Sequence, residues 1–463
     1  MYSVVLAVLI SGILFPVQQL SAQSLNDTQD ADLREMIGQM LMVSFNPNNE
    51  YADTLHTDIT RRNLGGVLLF GYHADDSSQL QQLTDDLHEM AETPLFMAID
   101  QEGGEVARLN SDNGFEDTYT AEELGNIDSE QTTRDQAAMM ADWLEENHIN
   151  INLAPVVDVN INPESPVIGD MGRSFSRNPE TVADHADWFI DEFEERDIIT
   201  AIKHFPGHGS AEVDSHKGFT DITDTWKDSE LEPYQKLLDR DFPGMIMPGH
   251  LFHEEFDPDH PATLSEDMIS GKLRDDFGFD GVIITDGMFM GAIQEHYGFF
   301  ESVKMAINAG VDILLYSNNA YEEQSLVRQV IDYVELQVQD GNIDRQTIEN
   351  SYDRIMDMKN DYLQTETSAI AHTSEKPAKF KLTNYPNPFN PVTNISFELP
   401  QQDQVSLAVY DMQGRKIEQL EDAVLGAGTH TYEFNGAELS SGVYFYHLKT
   451  PENRITRKMT LVK

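Results

Sequence analysis

Gly281-Val282-Ile283-Ile284-Thr285-Asp286 is a short apolar run that ends in a carboxylate, and runs of this kind recur along the chain. Amphipathic stretches such as 78–91, 132–147 and 179–196 separate them. Since the runs do not alternate strictly between polar and apolar residues, they are typical of parallel strands that are buried on both faces. The other seven runs occupy residues 40–45, 66–70, 95–100, 149–159, 198–205, 244–250 and 313–316.

Eight units of strand and helix predict an α/β fold, and specifically a (β/α)8 TIM-type barrel. An open, doubly wound sheet is the other common arrangement of such units. That sheet would carry a glycine-rich phosphate-binding loop after its first strand, and the sequence has no such loop there. We therefore expect the barrel to occupy residues 25–363.

The chain changes character after Tyr362. Residues 364–379 are polar and have no apolar period, which predicts a linker. Residues 380–463 alternate β-type segments with turn residues, which predicts a small C-terminal all-β sandwich. The segments span residues 392–399, 405–410, 430–434, 442–448 and 456–462.

The amino terminus has the pattern of a secretory signal peptide over residues 1–22. An apolar run at 4–17 is followed by Leu20-Ser21-Ala22-Gln23, which fits a small-residue cleavage site. A membrane anchor is the alternative, but a spanning helix needs about 20 apolar residues. We therefore expect export through the periplasm, a secreted or cell-surface location, and no membrane span in the mature chain.

The charge and the cysteine content exclude several classes of protein. The chain has 30 basic and 81 acidic side chains, a formal charge of −51, which argues against nucleic acid or an anionic membrane as a partner. Cysteine is absent, so disulfides, thiolate metal sites and cysteine nucleophiles are excluded. We predict neither a cofactor nor a metal.

Polar side chains close several of the apolar runs. In a barrel, the carboxyl ends of the strands form the functional face, so these side chains are expected to converge. Carboxylates that accept hydrogen bonds and basic groups that donate them suit the many hydroxyls of a carbohydrate. The strand-end residues are Asp100, Asp158, Lys203 with His204, His250 and Asp286.

Cleavage of a glycosidic bond requires a carboxylate together with a second carboxylate or another proton donor. Asp286 is the best-placed carboxylate because Gly287 allows a sharp turn after it, although a role as the cap of the next helix is the alternative. Asp214 and His216 form the second candidate pair. Residues two apart in an extended segment face the same side, so Asp214 can stabilise protonated His216. A zinc site of loop histidines with Asp214 is the alternative for this loop.

These motifs together resemble glycoside hydrolase family 3, specifically its β-N-acetylhexosaminidase branch. The resemblance extends from about Leu33 to Tyr362 in the family's order. It rests on 98–104 (AIDQEGG) with Val106 and Arg108, on 203–209 (KHFPGHG), on 214–216 (DSH), and on Thr285-Asp286.

The resemblance implies a catalytic and a sugar-binding set of residues. By it, Asp286 is the nucleophile, His216 is the acid/base, and Asp214 is the partner of His216. Two departures affect the surroundings of the site: Gly287 replaces the usual acidic or small residue after the nucleophile, and Met171-Gly172 precedes Arg173. The implied substrate-binding residues are Asp100, Arg108, Arg173, Lys203 and His204.

The C-terminal module resembles the sorting domain of the type IX secretion system. The resemblance rests on 384–391 (NYPNPFNP), 409–415 (VYDMQGR), 441–444 (SGVY) and Lys458-Met459. It implies secretion machinery as a partner. A carbohydrate-binding or spacer sandwich is the alternative.

The function expected from the sequence is an exported retaining hydrolase that removes terminal β-N-acetylglucosamine from peptidoglycan or chitin-type fragments. An N-acetylglucosaminide phosphorylase and a β-glucosidase on the same scaffold are alternatives. The Asp-x-His loop disfavours the glucosidase, because that branch takes its acid/base from elsewhere. A non-catalytic carbohydrate-binding surface protein is disfavoured because every expected catalytic residue is present.

Overall fold

A computed structural model describes residues 33–46, 52–215, 218–363, 382–385, 389–399, 403–411, 415–426, 428–437, 439–450 and 454–463. The chain divides into two compact units, Met1–Thr365 and Glu366–Lys463. The predicted signal peptide (1–22), the predicted linker (364–379) and His216 lie outside the described residues, so predictions about them stand as made. Among the helices that are described, none is both long and apolar enough to cross a membrane.

The first unit is built around a parallel sheet of seven strands in the order β11-β1-β2-β3-β6-β7-β9. Most of these strands are short and buried along their whole length, as expected for strands covered on both faces. In chain order the strands of this unit are β1 (Leu41–Val43), β2 (Gly66–Leu69), β3 (Phe96–Ile99), β4 (Gln101–Gly103), β5 (Val106–Ala107), β6 (Ile151–Asn152), β7 (Ile199–Phe205), β8 (Thr220–Asp221), β9 (Met245–Pro248), β10 (Leu251–Phe252), β11 (Leu314–Tyr316), β12 (Ala320–Tyr321) and β13 (Gln324–Ser325).

The run at 281–286 joins the two outer strands of this sheet through isolated bridges. Ile283 bridges Ile246 of β9, and Ile284 bridges Ile313, immediately before β11. The Thr285 N–H donates to the Ile313 carbonyl at 2.9 Å. The expected eighth strand is therefore present as bridged backbone and not as a regular strand.

The run at 149–159 was expected to be one long strand, and this expectation is wrong. Only Ile151–Asn152 forms ladder pairs, and residues beyond it meet β7 at a single bridge, Val156 to Lys203. Pro155 explains the early end, because it has no N–H with which to continue a ladder. The remainder of the run instead brings Asp158 beside the end of β7.

Helices alternate with the strands and begin at recognisable caps. Asp76 accepts from the Gln79 N–H at the start of α3, and Thr120 forms a capping box with Glu123 at α4. The three amphipathic stretches become α3, α5 and α6, shifted by no more than two residues at each end. The helices are α1 (33–39), α2 (Ala52–Arg62), α3 (Ser77–Met90), α4 (Ala121–Ile127), α5 (Glu130–Glu146), α6 (Pro179–Glu194), α7 (Glu232–Asp239), α8 (Gly291–Gln294), α9 (Phe299–Ala309), α10 (Leu326–Gln339) and α11 (Arg345–Leu363), with a π-helix at Asp267–Asp276.

The second unit consists of two antiparallel sheets, in the orders β14-β15-β18 and β17-β16-β19-β20. Side chains of both sheets, such as Phe397 and Tyr446, share one buried apolar cluster. The five predicted segments correspond to strands, and two strands were not predicted. One of these, β17 (KIEQLEDAVL), is rich in charge and lacks a clean alternation. The strands are β14 (Leu382–Tyr385), β15 (Val392–Leu399), β16 (Asp403–Asp411), β17 (Lys416–Leu425), β18 (Gly428–Asn435), β19 (Gly442–Lys449) and β20 (Arg454–Leu461).

A buried lysine of α11 fastens this helix to the amino-terminal ends of three strands. Lys359 Nζ donates to Gln39 Oε1 at 2.8 Å, to the Gly65 carbonyl at 2.8 Å and to the Pro94 carbonyl at 2.6 Å. These acceptors lie one or two residues before the first residues of β1, β2 and β3. Three hydrogen bonds from the Lys359 side-chain nitrogen hold the end of the sheet that lies opposite the strand-end polar residues.

We expect Lys359→Met to lower the free energy of unfolding by about 3 kcal/mol, because buried acceptors lose their donor while the aliphatic stem is kept. Lys272→Met is the control. Lys272 is partly exposed and pairs with Asp276 at 3.0 Å, so its replacement should change stability by less than about 1 kcal/mol. Urea unfolding of both variants measures the difference, and equal stabilities would contradict the assigned role of Lys359.

Candidate active site

Lys203 lies between two carboxylates at the carboxyl end of the sheet. Its Nζ is 2.8 Å from Asp100 Oδ1 and 2.7 Å from Glu102 Oε1. β7 carries Lys203, while Asp100 and Glu102 follow β3, so two non-adjacent strands are joined across their ends. The Lys203 side chain is only 3% exposed, and the ammonium group is therefore fixed in place.

Two arginines complete this ion-pair cluster. Arg108 NH2 donates to Asp100 Oδ2 at 3.1 Å. Arg173 binds Glu102 with two parallel hydrogen bonds of 2.8 Å, and it also donates to the Val167 carbonyl. The planar guanidinium matches a carboxylate in this two-bond geometry, which fixes both side chains.

The cluster keeps all its members charged. Burial alone would raise the pKa of Glu102, but Arg173 and Lys203 outweigh it and lower that pKa to about 2. Burial likewise opposes the charged form of Lys203, and Asp100 and Glu102 outweigh it and raise the Lys203 pKa. Asp100 behaves as Glu102 does: Lys203 and Arg108 lower its pKa despite burial.

Asp158 organises the residues that follow Lys203. One oxygen of Asp158 accepts from the backbone N–H groups of His204 (3.1 Å) and His208 (2.8 Å), and the other lies 2.8 Å from His204 Nδ1. A carboxylate only accepts, so His204 carries its proton on Nδ1. The other ring nitrogen, Nε2, is left for another contact.

His208 is a buried member of the same loop. Its Nε2 lies 3.0 Å from Ser215 Oγ, so the end of the 203–209 motif is tied to the residue after Asp214. Burial lowers the pKa of His208 to about 4, and the ring is neutral at pH 7.

Asp286 ends the bridged run, and its carboxylate is held by the turn that follows. Asp286 Oδ1 accepts from the Gly287 N–H at 2.7 Å. His250 Nε2 donates to the Gly287 carbonyl at 3.0 Å, and its Nδ1 lies 2.9 Å from Thr263 Oγ1. A Cβ at position 287 would meet only Met290 atoms, at 3.5 Å, so glycine is not sterically required there.

The structure thus joins most of the sequence-predicted site residues. Asp100, Arg108, Arg173 and Lys203 form one ion-pair cluster, and His204 is adjacent to it along β7. Asp214 lies on the loop, but His216 is outside the described residues, so their pairing stays a prediction. Among the described residues no group of three or more His, Asp or Glu side chains is placed to hold a metal ion.

Two residues that bind these groups were not assigned a role from the sequence. Glu102 stood in the quoted 98–104 motif and Asp158 among the strand ends, so a signal existed for both. Neither contacts solvent freely, since the Glu102 side chain is 6% exposed and Asp158 is fully buried. Both act by positioning other side chains, which sequence spacing alone does not reveal.

Comparison with known proteins identifies the family. Residues 32–358 match the Glycosyl hydrolase family 3 N terminal domain, and residues 383–462 match the Secretion system C-terminal sorting domain. The chain belongs to glycoside hydrolase family 3. The expected family resemblance, and that of the C-terminal module, are thereby confirmed.

Relatives within this family carry hexosaminidase names. The chain is 30% identical to Beta-hexosaminidase A of Pseudoalteromonas piscicida over 73% of its own length and 63% of the relative's. It is 31% identical to Beta-hexosaminidase LpqI of Mycobacterium tuberculosis over 70% of its own length and 82% of the relative's. The chain therefore spans less than two thirds of the first of these proteins.

Solved structures give the same picture. A family 3 β-N-acetylglucosaminidase from Paenibacillus sp. str. FPU-7 superposes with a TM-score of 0.67 at 31% identity, covering 74% of this chain and 65% of that one. A β-N-acetylhexosaminidase from Beutenbergia cavernae superposes with a TM-score of 0.64 at 28% identity, covering 71% of this chain and 98% of that one. The α/β architecture of the first unit is that of family 3.

We expect Glu102→Gln to lower the free energy of unfolding by about 3 kcal/mol at pH 7, because Arg173 and Lys203 lose a buried counter-charge. The Glu102 pKa is about 2 when folded and near 4.5 when unfolded, so its contribution is complete above pH 4.5. The difference in the free energy of unfolding between wild type and Glu102→Gln should therefore be constant from pH 8 to pH 5 and should decrease below pH 4.5.

Denaturant unfolding at several pH values measures this difference. Glu301→Gln is the matched control, because Glu301 forms an exposed pair with Lys304 and its removal should have little effect at any pH. If Glu102→Gln loses as little unfolding free energy as Glu301→Gln does, the ion-pair cluster does not hold the site together.

Proposed function

We propose that this chain is an exported retaining glycosidase that removes terminal β-N-acetylglucosamine from peptidoglycan or chitin-type fragments. Family membership and the names of the relatives support this reaction. The observation that carries it is the fixed cluster of Asp100, Lys203 and Arg108 at the carboxyl end of the sheet. It presents charged acceptors and donors in one place, which the hydroxyls of a terminal sugar require.

We also propose that the first unit is a closed (β/α)8 barrel. Ile283 and Ile284 form bridges to the two outer edges of the sheet, which supports closure of the barrel. In this arrangement the run at 281–286 takes the position of the eighth strand. The carboxyl ends of the strands then form one face, which places Asp286 on the same face as Lys203.

In this proposal the ion-pair cluster binds the sugar that is cleaved. Asp100 is 17% exposed and Arg108 is 30% exposed in their side chains, so both have surface left for ligand hydroxyls. His204 offers Nε2, because Asp158 occupies Nδ1. Lys203 and Arg173 are more deeply buried. They hold the carboxylates of Asp100 and Glu102 in position, in addition to any contact that they make with the sugar.

Asp286 is proposed as the nucleophile. Its carboxylate attacks the anomeric carbon, the glycosidic bond breaks, and the electron pair leaves with the aglycone oxygen, which takes a proton. Water then cleaves the glycosyl ester, and the two inversions give net retention. The Gly287 N–H donates to Asp286 Oδ1 at 2.7 Å and so helps to orient the carboxylate for attack.

His216 is proposed as the acid/base and Asp214 as the group that stabilises its protonated form. The family resemblance of the 214–216 loop supports these roles. The described part of that loop is anchored by the contact between His208 and Ser215, one residue after Asp214. A histidine acid/base would repel an incoming phosphate less than a carboxylate acid/base would. Phosphorolysis is therefore a separate outcome of the test below.

The C-terminal unit is proposed to direct export and not to take part in the reaction. The sorting-domain match over residues 383–462 supports export or a cell-surface location. Secretion machinery is accordingly the proposed partner of this unit.

We expect the full chain to cleave an aryl N-acetyl-β-glucosaminide with a kcat/KM at least about 100-fold above that for the aryl β-glucoside, because a site built for the acetamido group uses it in the transition state. The ratio should survive treatment with a chelator and removal of residues 364–463. Asp286→Ala supplies the background rate.

Each other outcome has a distinct meaning. A preference for the glucoside, or loss of activity with the chelator, would contradict the proposed function. Formation of sugar 1-phosphate when phosphate is added would identify a phosphorylase instead. Loss of activity on truncation alone would contradict the separate role of the C-terminal unit.

A further inference from the structure

Glu230 is a buried carboxyl group that the proposed reaction does not use. It ends a short 3-10 helix (Asp228–Glu230) that leads into α7, and it is fully buried. Its Oε1 accepts a long hydrogen bond, 3.3 Å, from the Lys227 N–H. Its Oε2 is buried with no hydrogen-bond partner in the part of the chain that the structure describes. A carboxylate in this position would be poorly solvated.

The backbone of the loop that follows β7 packs directly on this carboxyl group. A Cβ at Gly207 would lie 2.5 Å from Glu230 Cβ and 2.9 Å from Oε2, so only glycine fits there. Gly207 has a φ of +123°, which also favours glycine. Glu230 therefore touches the middle of the 203–209 motif, between His204 and His208.

The ionisable groups around Glu230 give its charged form no compensation. Asp158, which binds His204 and His208, is a second negative charge, and Tyr234 of α7 is a neutral phenol. Among the described salt bridges none involves Glu230, and His208 is neutral at pH 7. Burial, together with Asp158, raises the pKa of Glu230 to about 8, although the nearby polar groups of Ser210 and the Lys227 N–H oppose the shift.

We propose that Glu230 is a positioning residue that works as an uncharged carboxylic acid beneath Gly207, and that its ionisation sets the upper pH limit of the site. This rests on the proposed function only for its effect on catalysis. The uncharged group packs against the loop without repelling Asp158.

Ionisation changes the forces on the loop in two ways. The new charge requires donors or water, and the backbone of Gly207 is packed against this carboxyl group. It also repels Asp158, which holds the backbone N–H groups of His204 and His208 and the His204 ring. Either effect displaces the loop that carries the sugar-binding His204 at one end and Asp214 at the other.

The first test is the pH dependence of kcat/KM for wild type and Glu230→Gln, which has the same size and cannot ionise. The wild-type value should fall about tenfold per pH unit above pH 8. Glu230→Gln should retain, at pH 9.5, at least about ten times more of its own pH 7 activity than wild type does. Glu232→Gln, an exposed carboxylate two residues away, is the control and should follow wild type.

The second test needs no activity. Trp226 Nε1 donates to the Pro206 carbonyl at 3.2 Å, so its indole reports on the start of the loop. With Trp143 and Trp188, the other two tryptophans of the chain, replaced by phenylalanine, we expect the fluorescence to change between pH 7 and 9 with a midpoint near pH 8. Burial lowers the pKa of neighbouring His253, so that ring titrates outside this range.

The change in fluorescence should disappear in Glu230→Gln. No fluorescence transition between pH 7 and 9 in the protein that has Glu230 would overturn the proposal, whether or not the variant folds. The proposal would also be overturned if kcat/KM fell above pH 8 in the same way in wild type and in Glu230→Gln. A transition that depends on Glu230 in a chain with no glycosidase activity would support the loop contact and refute the proposed function.

Discussion

The salt bridges of Lys203 are the interaction on which the site depends. One ammonium group, almost completely buried, contacts Asp100 and Glu102 at once. Burial of a charge is costly, and the cost is met here by two carboxylates that are themselves held by Arg108 and Arg173. Removal of Lys203 or Glu102 deprives two buried partners of an opposite charge at once. The cluster therefore fixes the ends of β3 and β7 relative to each other before any ligand arrives.

The same strand end organises the second half of the site. β7 passes from Lys203 to His204, and Asp158 receives the backbone and ring donors that follow. The side chain of Glu230 packs against this turn at Gly207. One short stretch of backbone thus carries the Lys203 ammonium group, which we propose binds the sugar, the oriented imidazole of His204, and the start of the loop that leads to Asp214. Its carboxyl neighbours differ in charge because Asp158 has donors and Glu230 has almost none.

Much of this could be predicted from the sequence, because burial on both faces leaves unbroken apolar runs and the polar residues that end them stand out. Seven runs became strands of the parallel sheet. The stretch 149–159 did not extend as expected because Pro155 interrupts the ladder, and 281–286 formed only bridges. Contacts between segments that are far apart in the sequence could not be predicted from the spacing of residues. The pairs Glu102 with Arg173 and Glu230 with Gly207 join residues whose proximity arises only when the sheet is assembled.

The central claim is that Asp286 forms a covalent bond to the sugar during turnover. The most direct measurement is incubation of the full chain with a 5-fluoro analogue of N-acetylglucosaminyl fluoride, which slows hydrolysis of the intermediate, followed by proteolysis and mass spectrometry. The account predicts one sugar per chain, attached to the peptide that contains Asp286 and released on prolonged incubation. Attachment to Asp100 or Asp158, or steady turnover of the analogue's parent substrate with inversion at the anomeric carbon, would contradict it.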